Sequence, residues 1–393
     1  MKDLLWDYWL QLSSWRLENI LLLVLLLMVI HQLYHYIRYM AGVLYERRKN
    51  RVQPIQNEES IDWPKISVIV CARNEEDNLQ NYLHALLNQD YPCYEVIVVN
   101  DGSEDATDMV LEQYVRQCNN MYRTFVPREA RVLSSKKLAL TIGIKAAHYD
   151  CLVLTDADCR PESRSWLKEM ARGFIDGKKE VVLGFSAYFE TKGLLNGLIC
   201  YDTLFTGMQY LGMARAGHPY MGVGRNLAYR RDTFFKHNGF RGLLGERAGD
   251  DDLFVNKVAN KHNTAVICTK DSVVWSVPKK SWKDWFHQKR RHLSVSPHYN
   301  GWSKMRLVLE PMSRGIMYMM LILLAIVGGV SCWAGLLLFG IRMLVQLLVV
   351  NISAKHLGLR GHGLEVIFYD IALPLINLHI LCTQPFHKRR MCW

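Results

Sequence analysis

Hydrophobic residues are concentrated at the two ends of this chain, and this distribution limits what the chain can fold into. Residues 20–30 form an unbroken apolar run, and residues 315–350 form a second, longer apolar zone. A helix of about 20 apolar residues crosses a bilayer, so the first zone matches one span and the second exceeds one. The pair Gly328-Gly329 lies near the middle of the second zone. We therefore predict one membrane helix near the N-terminus and a tight helical hairpin, at about 315–332 and 333–350, near the C-terminus.

The charges around the first run indicate its orientation. Asp3 and Asp7 precede the run and no small-x-small cleavage site is present, which disfavours a cleaved signal peptide. Basic residues come after the run, namely Arg38, Arg47, Arg48, Lys49 and Arg51. Because basic loops stay on the cytoplasmic side, we predict a multi-pass protein of the cell (inner) membrane whose central region is cytoplasmic.

Two features of the C-terminal region leave its arrangement open. Arg342 lies inside the second half of the predicted hairpin, where a charge requires a partner or must reach the interface. Residues 364–382 contain two acidic residues and a proline, and they fit either a third span or a helix in the membrane interface. The basic tail Lys388-Arg389-Arg390 favours a cytoplasmic C-terminus, whereas three spans after the central region would place it outside.

Composition separates the ends from the middle and excludes some classes of protein. The mean hydropathy is only −0.03 although 50% of the residues are hydrophobic, because apolar ends are averaged with a polar centre. The 10 cysteines form no CxxC pair, so neither a zinc site nor a secreted disulfide framework is predicted. The net charge of +11 allows nucleic acid, anionic lipid or a phosphorylated small molecule as partner.

Strands and helices alternate across the central region, from about residue 62 to residue 312. Short β-branched runs predict strands at 66–71, 95–99 and 151–155, and apolar residues with helical spacing predict helices at 78–88, 105–117 and 135–147. Ser103 is the candidate N-cap of the second helix. This alternation predicts an α/β domain with a mainly parallel sheet flanked by helices. In such sheets, ligands bind beyond the carboxyl ends of the strands.

Polar side chains follow all three predicted strands. The first strand is followed by Ala72-Arg73-Asn74-Glu75, the second by Asn100-Asp101-Gly102-Ser103 and the third by Asp156-Ala157-Asp158. Any one of these segments is compatible with an ordinary turn, but three at one sheet edge are not. Asp156 and Asp158 project to the same side of a strand end and repel each other unless a cation lies near them. These oxygen ligands suit Mg²⁺ or Mn²⁺ bridging to a phosphate.

The order of these motifs resembles the nucleotide-binding half of the family 2 glycosyltransferases, which have the GT-A fold. The matching segments are 70–75, 98–103, Lys136-Lys137-Leu138-Ala139-Leu140 and 156–158. The resemblance implies that the base and ribose of a nucleotide are held by Ala72, Arg73, Asn74, Glu75 and Asp101. It also implies that Lys136 lies near the diphosphate and that Asp156 and Asp158 hold the metal on that diphosphate.

The resemblance continues through the second half of the central region. The segment 222–230 resembles the glycine-rich segment of the family, which implies that Gly222, Gly224 and Asn226 line the pocket for the sugar and the acceptor. Residues 249–253 resemble the motif that carries the catalytic base. Reading this motif as Gly-Asp-Asp assigns the base to Asp251, and aligning it on the following leucine assigns it to Asp250. We favour Asp251, and acidic residues that merely begin a helix are the structural alternative.

A further motif connects the chain to the processive, membrane-embedded members of the family. Residues 288–292 resemble their Gln-x-x-Arg-Trp motif, which implies that Gln288 and Arg291 contribute to nucleotide-sugar binding. His292 stands where those members have a tryptophan that helps to form their acceptor site. This difference argues against a self-contained polymer synthase.

The segment from Lys279 to Arg306 combines basic and aromatic residues shortly before the second apolar zone. Trp282, Trp285 and Phe286 have the i, i+3, i+4 spacing of one helix face. Such a helix next to a span predicts an amphipathic segment on anionic membrane lipid. The nearby span argues against nucleic acid as the partner.

These observations divide the chain into seven segments. They are an N-terminal segment (1–16), a membrane helix (17–37), a basic linker (38–61), a GT-A catalytic domain (62–278), an interfacial segment (279–312), a membrane hairpin (313–350) and a C-terminal region with a third membrane or interfacial helix (351–393).

The resemblance implies a metal-dependent, inverting glycosyltransferase. Such an enzyme would move a sugar from a UDP- or GDP-linked donor to a hydroxyl of a lipid-linked or polysaccharide acceptor at the membrane. Two alternatives remain open at this point: a membrane protein that binds nucleotide sugars without catalysis, and a processive polysaccharide synthase. No motif in the chain encodes the identity of the sugar.

Overall fold

The structure is a computed structural model that describes residues 2–45, 61–127, 135–243 and 248–387. Most of the basic residues predicted to follow the first span, Arg47, Arg48, Lys49 and Arg51, lie outside the described residues. The basic tail 388–390 also lies outside them.

Within these ranges the chain forms ten β-strands and twelve α-helices. The strands are β1 Ile66–Ala72, β2 Tyr94–Asn100, β3 Met121–Phe125, β4 Cys151–Asp156, β5 Cys159–Pro161, β6 Val181–Leu183, β7 Ser186–Tyr188, β8 Leu227–Arg230, β9 Thr264–Val266 and β10 Val274–Ser276. The helices are α1 Lys2–His35, α2 Glu76–Leu87, α3 Thr107–Gln117, α4 Ser135–Ala146, α5 Trp166–Ala171, α6 Leu194–Arg215, α7 Arg231–Lys236, α8 Asp252–Val258, α9 Trp282–Leu293, α10 Gly301–Val327, α11 Val330–His356 and α12 Glu365–His387.

The central domain is built on a seven-stranded sheet with the strand order β3-β2-β1-β4-β8-β6-β9. β1 lies parallel to β2 and β4, whereas β8 runs antiparallel to β4 and β6. The sequences of β1, β2 and β4 are rich in valine, isoleucine and leucine because these strands are buried on both faces. A second, three-stranded sheet has the order β5-β10-β7. The predicted α/β domain with a mainly parallel sheet is therefore confirmed.

The predicted strands and helices of this domain agree with the structure to within two residues. The strand predicted at 66–71 is β1, Ile66–Ala72, and the helix predicted at 135–147 is α4, Ser135–Ala146. The prediction that Ser103 caps α3 was wrong, because Ala106 occupies the N-cap position. The Ser103 hydroxyl instead accepts a hydrogen bond from the backbone N–H of Asn74 at 2.9 Å.

The other strands and helices of the domain were not predicted, and β3 and α6 show why. β3 is an edge strand in which Met121 is buried and Tyr122 and Phe125 are exposed, so its apolar residues do not alternate towards a core. α6 buries residues on several faces, among them Leu198 and Tyr201, and therefore lacks the polar face that marks a surface helix.

One hydrophobic core lies on each face of the large sheet, and one of the two continues into the membrane helices. Ile69 contributes to the first core and Val68, the preceding residue of β1, contributes to the second. The first core also contains Tyr36 and Val350, which lie in candidate membrane helices. The domain and these helices therefore share a continuous core.

The contact between α6 and the first membrane helix depends on glycine. Gly212 lies against the π-helical turn Tyr36–Met40, and a Cβ at position 212 would fall 1.7 Å from the carbonyl oxygen of Tyr39. Gly42 also lies close to α6, since its Cβ would lie 2.6 Å from the Cα of Gly212. The two backbones pack directly against each other because neither position carries a side chain.

Four helices among the described residues are long and apolar enough to cross a membrane, namely Leu17–Met40, Gly301–Val327, Val330–His356 and Glu365–Thr383. The predicted hairpin turns at Gly328 and Gly329, where both residues have a positive φ. Its helices are longer than the predicted 315–332 and 333–350, so the predicted interfacial segment 279–312 includes the first turns of α10. The region 364–382 forms α12, which qualifies as a span by length and composition.

A buried cluster of polar side chains connects all four of these helices. Asp370 on α12 accepts hydrogen bonds from Arg342 on α11 at 2.7 and 3.1 Å, and from Arg314 on α10 at 3.2 Å. Arg342 also donates to Gln32 of α1 at 3.0 Å, and Gln346 donates to Asp370 at 2.9 Å. The partner that the sequence requires for Arg342 is therefore Asp370.

The cluster is electrically balanced and also reaches the domain. Glu310 pairs with Arg314, so two carboxylates face two guanidinium groups. Gln346 donates to the hydroxyl of Tyr201 on α6 at 3.2 Å. Because buried charges are stable only when they are paired and hydrogen-bonded, this cluster fixes the four helices relative to each other and to α6.

Replacing Asp370 with asparagine is expected to destabilise the folded protein by about 3–5 kcal/mol, because two buried cations then share one carboxylate, Glu310. Thermal unfolding in detergent, followed by size-exclusion chromatography, measures the change. Leu378→Ala is the control, since Leu378 on the same helix is exposed. Equal unfolding midpoints for the two variants would contradict the role assigned to the cluster.

Candidate active site

The carboxyl ends of β1, β2 and β4 bring the predicted motifs side by side. The register of the strands places Ala72 beside Asn100 and Cys71 beside Asp156. The backbone N–H of Asp101 donates to the carbonyl oxygen of Ala72 at 2.8 Å. Motifs that are far apart in the sequence therefore meet at one edge of the sheet, as predicted.

Hydrogen bonds between the loops that follow β1 and β2 hold both in one conformation. The N–H of Asn74 donates to Ser103 Oγ at 2.9 Å, and its side-chain oxygen accepts from the N–H of Glu104 at 2.8 Å. Asn74 has a φ of 55°, a left-handed conformation that asparagine adopts more readily than most residues. The N–H of Glu75 donates to Thr107 Oγ1 at 3.0 Å. The two loops therefore form a rigid cradle at the sheet edge.

The charged groups of this cradle differ in exposure. Asp101 is buried, whereas Arg73 and Glu75 are partly exposed. Burial raises the pKa of the Glu75 carboxyl, although the hydrogen bond from Asn78 acts in the opposite direction. Arg73 and Glu75 are thus charged groups of the cradle that an incoming ligand can reach.

Asp156 and Asp158 form a two-carboxylate site that suits a divalent cation. Asp156 ends β4, and Asp158 Oδ2 accepts from Ser276 Oγ at 3.0 Å. The thiol of Cys159 lies 3.3 Å from the other oxygen of Asp158. In the described part of the chain, no three His, Cys, Asp or Glu side chains are grouped as metal ligands. A pair of carboxylates fits Mg²⁺ or Mn²⁺ that take their remaining ligands from water and phosphate.

Lys136 lies between these carboxylates and the acidic motif 250–252. Its Nζ is 3.0 Å from Asp156 Oδ1 and 3.4 Å from Asp250 Oδ2. Burial lowers the pKa of Lys136, but Asp156, Asp250 and Asp251 outweigh burial and hold the pKa well above its ordinary value. The amine therefore stays charged and links the two acidic motifs across the site.

Asp251 is held by backbone N–H groups at both carboxylate oxygens. Gly224 donates to Oδ2 at 2.7 Å and Asp252 donates to Oδ1 at 2.8 Å, so Asp251 is also the N-cap of α8. A Cβ at position 224 would lie only 3.3 Å from Oδ2. Burial raises the pKa of Asp251, and the charge of Asp250 raises it further. A fixed carboxylate with a raised pKa is suited to accept a proton.

The two neighbours of Asp251 have different surroundings. Burial raises the pKa of Asp250, but Lys136 reverses this effect and the pKa lies below its ordinary value. Asp252 is buried and accepts a hydrogen bond from the Tyr299 hydroxyl at 3.0 Å. Asp250 is therefore stabilised as a carboxylate by its ion pair with Lys136. Asp252 instead makes a buried hydrogen bond that holds Tyr299. This difference favours Asp251 over Asp250 as the proton acceptor.

Two residues of the predicted sugar pocket belong to the core instead. Asn226 is fully buried, and its amide nitrogen donates to the carbonyl oxygens of Phe185 and Ser272 at 2.7 Å. Its oxygen accepts from Trp166 Nε1 at 3.0 Å. Gly222 is similarly enclosed, since an added Cβ would lie 3.0 Å from a leucine side chain. The motif did not reveal this, because the groups that surround these positions come from distant segments.

The helix that carries the Gln-x-x-Arg motif, α9, docks on the domain through residues of that motif. Gln288 Nε2 donates to the Tyr188 hydroxyl at 2.9 Å, and Lys289 Nζ pairs with Asp202 on α6 at 2.8 Å. Arg291 lies on the same helix and is exposed. Gln288 therefore contacts the site through Tyr188.

Three residues at this edge were not singled out by the sequence, namely Tyr188, Arg225 and Ser276. Tyr188 and Ser276 are neighbours on the paired strands β7 and β10. The guanidinium of Arg225 lies 4.3 Å from the centre of the Tyr188 ring. Their only sequence signal was the position of Arg225 within the glycine-rich segment.

Comparisons with known proteins agree with this geometry. Residues 67–236 match the model described as "Glycosyl transferase family 2". The matched residues run from β1 to α7 of the central domain. The chain is 25% identical over 267 residues to the probable glycosyltransferase YdaM of Bacillus subtilis, which covers 66% of this chain and 61% of that protein. It is also 26% identical over 204 residues to a hyaluronan synthase of Streptococcus pyogenes, which covers 49% of this chain and 48% of that protein.

A solved structure shows the same fold. The mannosyltransferase PcManGT from Pyrobaculum calidifontis, solved in complex with GDP-Man and Mn²⁺, is similar with a TM-score of 0.55 at 19% sequence identity. The match covers 93% of this chain and 99% of that chain, and it confirms the predicted GT-A fold. By sequence, the chain spans 61%, 46% and 55% of three curated relatives that it matches, so about half their length.

Asn226→Ala is expected to lower the free energy of unfolding by about 3 kcal/mol, because it leaves buried partners of the amide without hydrogen bonds. The folded fraction is expected to bind nucleoside diphosphates as the unchanged protein does. Thermal unfolding and nucleotide titration measure the two properties separately. Normal stability combined with lost nucleotide binding would instead show that Asn226 lines the ligand pocket.

Proposed function

We propose that this chain is a membrane-anchored glycosyltransferase that moves a sugar from a nucleoside diphosphate sugar to a hydroxyl of a membrane-associated acceptor. The observation that carries the proposal is the meeting of two acidic motifs around Lys136 at the carboxyl end of the parallel sheet. The family 2 match supports the same reaction, and so do relatives named glycosyltransferases.

The donor would bind across the cradle that follows β1 and β2. Its base and ribose would contact residues 72–75 and Asp101, as the family resemblance implies. Its diphosphate would then lie beside Asp156, where Lys136 supplies a positive charge. Arg291, an exposed cation of α9 whose charge reaches Asp250, would add to this charge. The donor is UDP- or GDP-linked in this proposal.

Asp156 and Asp158 would hold Mg²⁺ or Mn²⁺ against the diphosphate. When bound, the ion stabilises the negative charge that develops on the leaving diphosphate. Ser276 fixes the orientation of the Asp158 carboxylate through its hydrogen bond of 3.0 Å. The neighbour PcManGT, which has this fold, is in complex with GDP-Man and Mn²⁺, and this supports the choice of metal.

Asp251 would act as the catalytic base. An acceptor hydroxyl is a weak nucleophile near neutral pH, so a carboxylate that takes its proton as the new bond forms promotes attack on the anomeric carbon. Gly224 and Asp252 hold both oxygens of Asp251 in place through their N–H groups. One base facing the departing diphosphate supports a single displacement with inversion.

The acceptor would be a lipid-linked sugar or a polysaccharide at the membrane surface. The domain shares its core with the candidate membrane helices. Trp282 at the start of α9 and Trp302 in the first turn of α10 are exposed. Aromatic and basic residues at this level suit contact with anionic lipid. The proposal places the chain in the cell membrane with several spans and its domain in the cytoplasm.

A processive polysaccharide synthase is the second candidate. Relatives named hyaluronan synthase and poly-beta-1,6-N-acetyl-D-glucosamine synthase favour it, whereas His292 in place of tryptophan argues against it. Product size separates the two candidates, because single transfer yields an acceptor extended by one sugar and processive transfer yields long chains.

Asp251→Asn is expected to lower the rate of sugar transfer by about 10²–10⁴-fold while nucleoside diphosphate binding stays nearly unchanged. The rate is measured as nucleotide release from UDP- and GDP-sugars by the detergent-purified protein with Mn²⁺, lipid and candidate acceptors. Asp232→Asn is the matched control, because Asp232 is exposed on α7. Full activity of Asp251→Asn would refute the assignment of the base.

The acid limb of the pH–activity profile is expected at a pH above the ordinary pKa range of an aspartate. A base works only when deprotonated, and burial together with Asp250 raises the pKa of Asp251, so activity falls as the pH drops through that raised value. Asp250→Asn removes one source of the shift and is expected to move the limb to lower pH. A limb that moves to higher pH, or stays in place, would contradict the coupling between the two carboxyls.

A further inference from the structure

Arg225 has unusual surroundings for an arginine in a folded domain. Its guanidinium lies over the ring of Tyr188, 4.3 Å from the ring centre, and its Nη1 atom is buried. Within the ranges that the structure covers, Nη1 has no hydrogen-bond partner and the guanidinium forms no ion pair. A buried donor without a partner costs about 1–3 kcal/mol, and more when it is charged. The fold therefore maintains a positive charge that has no direct ion pair among the described residues.

This charge lies beside the candidate metal site. Tyr188 on β7 is paired with Ser276 on β10, and Ser276 donates to Asp158 Oδ2 at 3.0 Å. Ser276 is in turn paired with Cys159 on β5, the residue that follows Asp158. One face of the small sheet thus holds both Ser276, which orients Asp158, and Tyr188, whose ring lies against the Arg225 guanidinium.

The neighbouring carboxylates Asp158 and Asp156 raise the pKa of Arg225, but within the described residues neither forms an ion pair with its guanidinium. Asp158 receives hydrogen bonds from Ser276 on one oxygen and from the Cys159 thiol on the other. The guanidinium is held instead on an aromatic face, which stabilises a cation without occupying its N–H donors. These donors remain available for an anion that enters the site.

We infer that Arg225 binds the diphosphate of the donor and that Gln288 positions it through Tyr188, an inference that rests on the proposed function. A guanidinium offers two parallel N–H groups that match phosphate oxygens, and its planar shape allows it to stack on a ring at the same time. Gln288 fixes the Tyr188 hydroxyl at 2.9 Å, and the Tyr188 ring fixes the guanidinium. The first residue of the Gln-x-x-Arg motif therefore acts on the donor indirectly.

The test compares ligands with and without phosphates on the full chain in detergent with Mn²⁺. UDP and GDP are titrated directly, and uridine and guanosine are measured by competition. Arg225→Gln is expected to weaken binding of the diphosphate that the protein prefers by about 10- to 100-fold, while the affinity for its nucleoside stays unchanged. The diphosphate affinity of Arg225→Lys is expected to lie between those of the unchanged protein and Arg225→Gln, since lysine keeps the charge but lacks the paired N–H groups.

Arg160→Gln is the matched control. The guanidinium of Arg160 also lies over an aromatic ring, 5.1 Å from the centre of Phe189. Arg160 and Cys159 are consecutive in β5, so their side chains point to opposite faces of the small sheet. Arg160→Gln is therefore expected to leave diphosphate binding unchanged.

Tyr188→Phe and Gln288→Leu test the positioning role separately. Tyr188→Phe keeps the ring but removes the hydroxyl, so both variants are expected to weaken diphosphate binding several-fold and nucleoside binding not at all. The double variant is expected to be no weaker than the worse single one, because both changes break the same hydrogen bond. A purely structural role for these residues would affect both ligands equally.

Each outcome separates the inference from the proposed function. Unchanged diphosphate affinity in Arg225→Gln would overturn the inference while the proposed function stands. If Arg225→Gln does not fold, unchanged diphosphate affinity in Tyr188→Phe and Gln288→Leu would overturn it instead. Failure of the unchanged protein to bind UDP, GDP or any nucleotide sugar would refute the proposed function itself.

Discussion

The structure depends on the rule that a charge removed from water must be neutralised by neighbours. In the membrane helices, Asp370 accepts hydrogen bonds from Arg342 and Arg314, which come from two other helices. α12 cannot neutralise Asp370 alone, since both arginines lie on other helices. The four helices and α6 are therefore held in one arrangement by polar contacts as well as by apolar packing. This arrangement sets where the domain lies relative to the membrane helices.

The same rule governs the candidate active site, where it has a chemical consequence. Several carboxylates converge at the sheet edge, and Lys136 lies between Asp156 and Asp250. Its charge keeps Asp250 ionised, while Asp251, held by backbone N–H groups, retains a raised pKa. Adjacent carboxyls in the chain thus acquire different proton affinities from their surroundings. A cation at the Asp156 end would change the balance at the Asp251 end, because Lys136 contacts both motifs.

Much of the fold and part of the site were predictable because their signals are local. β1, β2 and β4 have continuous apolar sequences, and the polar residues that follow them meet because parallel strands end at one edge. The position of Asn74 and Asp156 at this edge was predicted from the strand pattern. Asn226 was misplaced because its role depends on the carbonyl groups that surround it, and no local pattern reports them. Tyr188 and Arg225 were missed for the same reason.

The sequence by itself determined the division into apolar ends and an α/β centre, the strands β1, β2 and β4, and the polar motifs at their ends. These follow from hydrophobic period and residue type, which act over a few residues. Only the tertiary structure decided that Asp370 neutralises Arg342, that Asn226 is a core residue and that Arg225 rests on Tyr188 beside Asp158. Those outcomes depend on which distant groups come within hydrogen-bonding or stacking distance, and that is set by the packing of the whole chain.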